Sequence, residues 1–197
     1  MTNYYNAELS AGSLMSLESR RIAAFLLTHP DEKAWKKTLI EDNLLQKKAP
    51  ATALRQAQLI RKRLNTLDVV ALEMIANREQ DLVIQLLLVA TVRHSQLLAD
   101  FISDIYIGHQ RHLDLAISPR DWEKFFTECT HRDSSVKLWS PSTQAKLFQV
   151  ILRILAEAKY LESTRSMKIT PQSLHPDVRR YLSAQADIKL IELLERA

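Results

Sequence analysis

Few side chains with catalytic or ligating chemistry stand at spacings that would let them act together. His109 and His112 are three residues apart, and Cys129 and His131 lie close by, a set that a zinc ion could use. Paired Cys-x-x-Cys spacing is missing, however, and a lone Cys-x-His beside a His-x-x-His constrains little. Ser134 and Lys137 match Ser-x-x-Lys without the companion motifs of the acylating enzymes that use that pair. Asp100 and Asp104 could bring two carboxylates to one helix face, as metal-dependent nucleases require, but no Lys-bearing nuclease signature accompanies them. Helical neighbours of that kind are commonly a solvated edge. The chain therefore reads as non-enzymatic, with no catalytic residue, metal site or cofactor.

The chemistry that the sequence does concentrate is positive charge. Residues 43–67, NLLQKKAPATALRQAQLIRKRLNTL, hold Lys47, Lys48, Arg55, Arg61, Lys62 and Arg63 and no acid. With 27 Lys and Arg against 23 Asp and Glu, the whole chain carries only +4, so this segment must be offset elsewhere. The offset falls in residues 68–104, where Asp68, Glu73, Glu79, Asp81, Asp100 and Asp104 stand against Arg78 and Arg93. Segregated basic charge on a helix is the footprint of a surface that neutralises nucleic-acid phosphates; it is also a common way to keep an ordinary helix solvated. A second basic region, residues 136–180, has eight bases and three acids. Within it Ser142, Lys146, Gln149 and Arg153 fall on one narrow helical stripe, followed by Arg165 and Lys168. That stripe could enter a major groove, or be the one solvated edge of a core helix. Trp35, Trp122 and Trp139 sit among apolar residues at helical spacing and are expected in the core, leaving Tyr4 and Tyr5 as the better base-stacking candidates.

The elements that must position these groups are helices. Gly occurs only twice, at Gly12 and Gly108, where ordinary usage would give roughly fourteen. Phosphate-cradling Gly-rich loops are excluded, and few turns with positive φ are expected. After an arm over residues 1–13, helices are predicted from Ser16 to near His29, from Asp31 through Trp35 and Ile40, and then over the basic segment with Thr52 as cap. In the basic helix Ala53, Ala57, Ile60, Leu64 and Leu67 share one face, opposite Arg55, Gln58 and Lys62. Asp68 caps a helix to about Ala76, and two more cover 80–94 and 96–107. The run LVIQLLLVATV, from Leu82 to Val92, is too short for a membrane span and reads as a central buried helix. A single cysteine and the lack of a leader pattern suit a reducing cytoplasm.

A lobe boundary is expected between Gly108 and Pro119, giving an N-terminal lobe over 1–116, with the basic helix at 51–66, and a C-terminal lobe over 117–197. The second lobe reads as a helix from Pro119 to about Thr130, a short turn around Val136 to Trp139, and a long helix capped by Ser140 with Pro141 at its first position. A hairpin over 159–170 and two closing helices follow. This is the order of a winged helix-turn-helix.

The stretch YNAELSAGSLMSLESRRIAAFLL, a Trp in the next helix, then NLLQKKAPATALRQAQLIRKRL and later LWSPSTQAKLFQVILRILAEAKYL resemble the BrxA family of BREX bacteriophage-defence systems over most of the chain. The resemblance implies a small cytoplasmic all-α bundle similar to the antitermination factor NusB. It also implies a DNA-binding accessory protein encoded with a methyltransferase, a phosphatase-like protein and ATPases, with double-stranded DNA and other BREX proteins as partners and no membrane. The family's inner-membrane label is not supported by the short apolar run. The family supplies no catalytic motif to carry over.

Residues and resemblance together predict phosphate neutralisation by Lys47, Lys48, Arg55, Arg61, Lys62 and Arg63, with Lys146, Gln149, Arg153, Arg165 and Lys168 as a second surface. Six engaged phosphates would make log affinity fall against log salt with a slope near about −5. The alternatives are a scaffold that joins defence proteins through the acidic 68–104 region or the basic helix, and a NusB-like RNA-binding protein.

Overall fold

A computed structural model describes residues 4–112 and 114–197, and among them the regular secondary structure is helical, with two isolated β-bridges and no strand. The chain divides into two compact units, Leu14–His94 and a second made of the residues up to Ser13 together with Ser95–Ala197.

The first unit contains α1 (Ser16–Leu26), α2 (Glu32–Ile40), α3 (Pro50–Leu64), α4 (Val69–Asn77) and α5 (Gln80–His94). Asp31 caps α2 by accepting from the Ala34 N–H at 2.7 Å, and Asp68 caps α4 in the same way from Ala71 at 3.0 Å. Two expected caps differ. Ser16 is already helical, after Met15 in a left-handed conformation, and α3 starts at Pro50 with Ala49 before it, ahead of Thr52. The core is built on α5, whose residues 82, 83 and 86–92 are all buried, so it is apolar around its circumference because α1, α3 and α4 surround it. Its one buried hydroxyl, Thr91, donates back to the Leu87 carbonyl at 2.7 Å.

The second unit contains a 3-10 turn (Glu8–Ala11), α6 (Gln96–Phe101), a π turn (Ile102–Tyr106), α7 (Ile107–Arg111), α8 (Pro119–Arg132), a 3-10 turn (Ser134–Leu138), α9 (Pro141–Glu157), α10 (Pro176–Ala184) and α11 (Ile188–Glu195). Ser118 and Asp121 form a capping box on α8, and Ser140 accepts from the Thr143 N–H to cap α9. Phe101, Trp122, Phe125 and Phe148 pack as an aromatic cluster with centroids 5.2–6.4 Å apart. The Tyr160 hydroxyl ties in α11 by donating to the Leu194 carbonyl at 3.0 Å.

Several expectations are revised. Residues 1–13 are not a loose arm where they are described: Tyr5 and Leu9 are buried, and the Ser13 hydroxyl donates to Glu157 at 2.7 Å. The segment lacks a helical period because its anchor is a 3-10 turn plus long-range polar bonds. Met1, Thr2 and Asn3 lie outside the described residues, as does Leu113 of the expected boundary segment. That segment is not where the units divide. Its pattern weakens because the helix ends at Arg111 and Leu115–Ile117 is paired: Ile117 N–H donates to Met167 O, Ile169 N–H to Leu115 O, and Ala116 bridges Lys168. The expected hairpin over 159–170 reduces to the Leu161–Ile169 bridge with two backbone bonds, Glu162 N–H to Lys168 O and Thr170 N–H to Tyr160 O. Finally, scarcity of glycine does not exclude left-handed turns. Met15, His29, Asn43, Gln46, Lys159, Met167 and Ala186 all have positive φ, whereas Gly12 is extended and Gly108 is helical.

Candidate nucleic-acid interface

The face of α3 follows from its composition. Ala53, Ala57, Ile60 and Leu64 are buried at spacings of four and three, so Arg55, Gln58 and Lys62 on the opposite side are exposed. Leu67 falls past the helix end and is only half-buried. The six bases of the segment have three different fates. Arg63 is 4% exposed, beside Leu59, Ile60 and Leu64, and is removed from the predicted phosphate contacts. Lys47 and Arg61 are committed to ion pairs. Lys47 Nζ lies 2.6 Å from Glu18 Oε1, and Arg61 Nη1 lies 2.7 Å from Glu32 Oε1 while its guanidinium stacks 4.6 Å from the Trp35 ring centroid. Burial pushes the Glu18 carboxyl up, but the hydrogen bonds from Lys47 and the backbone, together with the charges of Lys47 and Arg21, outweigh it and hold Glu18 below the usual carboxylate range. Lys48, Arg55 and Lys62 remain exposed.

On α9 the inward positions are Leu147, Val150, Ile151, Leu152, Ile154 and Leu155, and Ser142, Lys146, Gln149 and Arg153 are all exposed along the remaining stripe. Arg165 and Lys168 are also exposed, in the turn and bridge that follow. Nothing in sequence flagged Lys33, Lys36 and Lys37, which are exposed on α2, a helix that packs on α3. Their signal was a lysine on each side of the inward Trp35, at positions 33, 36 and 37.

Asp100 and Asp104 do come together, but around a guanidinium: Arg132 reaches Asp100 Oδ2 at 3.2 Å and Asp104 Oδ2 at 2.7 Å. The Tyr5 hydroxyl donates to the same Asp100 oxygen at 2.5 Å, and the Tyr5 N–H to Asp133 Oδ2 at 3.0 Å. Tyr5 is thus fixed in the core and cannot stack on a base, leaving Tyr4, which is exposed. That backbone bond, followed by one from Ser135, holds the Asp133 carboxyl below its ordinary range. Cys129 is buried, and burial pushes its thiol up to about 11, a state unsuited to metal or nucleophilic chemistry, while His131 is exposed. His109 stands between Asp114 (3.3 Å) and Asp121 (3.1 Å). Among the described residues no group of three His, Cys, Asp or Glu is placed to hold a metal ion. Trp35 and Trp122 are buried and Trp139 is half-buried. Three of the six acids of the 68–104 region are engaged within the protein, Asp68 on a helix cap and Asp100 and Asp104 on Arg132, while Glu73, Glu79 and Asp81 are exposed. No single helix among the described residues is long and apolar enough to cross a membrane.

Comparisons with known proteins agree with one another over nearly the whole chain. A protein named BREX protein BrxA from Escherichia coli O9:H4 (strain HS) is 35% identical over 188 residues, 95% of this chain and 88% of its own. One of the same name from Paramagnetospirillum magneticum is 31% identical over 192 residues, 97% of this chain and 96% of its own. A crystal structure of an uncharacterized protein from Magnetospirillum magneticum superposes with a TM-score of 0.91 at 27% identity, covering 98% of this chain and 99% of that one. The BrxA family profile matches residues 3–186, and with that coverage the chain belongs to the BrxA family.

Proposed function

We propose that this protein is a non-enzymatic DNA-binding accessory component of a BREX defence system, acting in the cytoplasm with other BREX proteins such as the methyltransferase, phosphatase-like protein and ATPase. The observation that carries the reading is the exposed, acid-free stripe of α3, with Arg55 and Lys62 projecting opposite the buried Ala53, Ala57, Ile60 and Leu64. Lys48 in the first unit, and Lys146, Gln149, Arg153, Arg165 and Lys168 in the second, extend the contact set. Lys47 and Arg61 are secondary, since engaging DNA would require them to leave Glu18 and Glu32. Lysines and arginines on convex helix faces meet phosphates, which position a protein on a duplex and carry little sequence information; Gln149 is able to pair bidentately with adenine, as Arg55, Arg153 and Arg165 are with guanine.

The test is binding to labelled duplex DNA, single-stranded DNA and RNA across a salt series. Duplex binding with log affinity falling steeply against log salt is expected, by roughly 0.9 per cation engaged. Equal or tighter binding to RNA would replace DNA by RNA as the partner. Absence of binding to all three near physiological salt would leave a protein scaffold. That scaffold would dock through the basic helix or through the exposed Glu73, Glu79 and Asp81, since Asp68, Asp100 and Asp104 are engaged within the protein.

A further inference from the structure

We propose that the second unit carries, apart from either basic helix face, a binding site for a nucleoside polyphosphate in the trough walled by Arg111, Lys189 and Arg196. Two shallow hollows of about 270 Å³ and 400 Å³, open to solvent, share Ile107, Arg111 and Arg196 and so adjoin beside α7 and α11. They have room for a polyphosphate that stays partly solvated. Three cations from two helices distant in sequence converge there against one lining acid, Glu192, which already lies 4.0 Å from Arg196. The nearby Asp104 is neutralised by Arg132. Leu193 and the small exposed part of Ile107 give the trough a limited apolar surface for a base or sugar, and Ser103 and Gln110 add a hydroxyl and an amide able to donate to phosphate oxygens.

The π turn at Ile102–Tyr106 contributes to this geometry. Its inserted residue rotates everything after it by about 100° relative to an uninterrupted helix, which sets the direction of Ile107 and Arg111. Guanidinium groups are suited to bidentate phosphate contacts, and an ammonium supplies a compact point charge. With no glycine loop to offer backbone N–H groups, the phosphates are held by side chains alone. Binding is therefore expected to be micromolar in order of magnitude and sensitive to salt.

The experiment is calorimetric titration of the full chain with ATP, GTP and inorganic triphosphate in EDTA, with short duplex DNA as a competing arm. Wild-type protein should bind all three, the nucleotides more tightly than triphosphate because of the apolar surface. R111A/R196A and K189E, whose altered side chains are exposed, should keep the wild-type melting profile and weaken ATP binding by roughly tenfold or more, the loss expected for a charged hydrogen bond. R55E/K62E should bind ATP as the wild type does, which keeps this site's failure distinct from failure of the DNA reading. No binding of any of the three probes, or unchanged binding in both trough variants, overturns the proposal. So does displacement of ATP by duplex together with loss of duplex affinity in R111A/R196A, because the trough would then be part of the DNA surface.

Discussion

The basic helix α3 and the long helix α9 make opposite use of their charge. α3 and its approach carry six bases, of which Arg63 is buried, Lys47 and Arg61 are half-buried in ion pairs with Glu18 and Glu32, and Lys48, Arg55 and Lys62 are exposed. α9 carries only Lys146 and Arg153, and both are exposed on a stripe with Ser142 and Gln149. Counting charge in sequence overstates the first surface and understates the second. Position relative to the apolar stripe is the better guide, because it decides whether a long cationic side chain meets solvent or folds back on its own unit.

The sharpest way to separate the roles of the six bases is through folding. Arg63→Ala removes a buried guanidinium, and its loss should lower unfolding free energy by about 3 kcal/mol while leaving the salt slope of DNA binding unchanged. Chemical denaturation beside anisotropy checks both halves; a lowered slope with intact stability would return Arg63 to the interface. Next in size, K146E/R153E and R55E/K62E should each weaken duplex binding by roughly tenfold or more near physiological salt. If only one pair matters, the comparison collapses to a single surface. Arg61→Ala should cost about 1 kcal/mol of stability through the lost ion pair and Trp35 contact, with a smaller effect on DNA than Arg55→Ala.

The pH dependence bears on the ion-paired part of the comparison. Folding lowers the Glu18, Asp121 and Asp133 carboxyls below their ordinary values. Each therefore contributes stability that is fully present above the unfolded-state values of about 4 and is lost as pH falls through the folded ones. Melting temperature should decline on acidification below about pH 4.5, and Lys47→Ala should flatten part of that decline. An acid limb unchanged in Lys47→Ala would remove Glu18 from this account.

Much of the architecture was legible because its determinants are local. Asp31, Asp68, Ser140 and Pro141 mark helix starts, and the buried run of α5 follows from its continuous apolar sequence. What escaped is long-range. Tyr5 is buried through bonds to Asp100 and Asp133, about a hundred residues away, and Leu115–Ile117 pairs with Met167–Ile169. Arg63 sits inward because it is three residues past Ile60 and four past Leu59, a placement that counting charge passes over. The left-handed turns were missed because residues such as Ala186 and Lys159 occupy positions that glycine would fill at lower cost. Ala186 closes α10 with the Asp187 N–H bonding Leu182 O and its own N–H bonding Ser183 O. Ala186→Gly should thus stabilise the protein by about 1 kcal/mol, readable as a rise in melting temperature. Gly108→Ala, in a helix with nothing near the added methyl group, should do so by about 0.5–1 kcal/mol.

The most direct test of the central claim, that the cations exposed on the α3 and α9 stripes meet DNA, is the salt dependence of duplex affinity for wild type, R55E/K62E and K146E/R153E. The account predicts steep salt dependence in the wild type, with the slope reduced by about 2 in each double variant, roughly 0.9 per cation lost. Well-folded variants that keep the wild-type affinity and slope would contradict it.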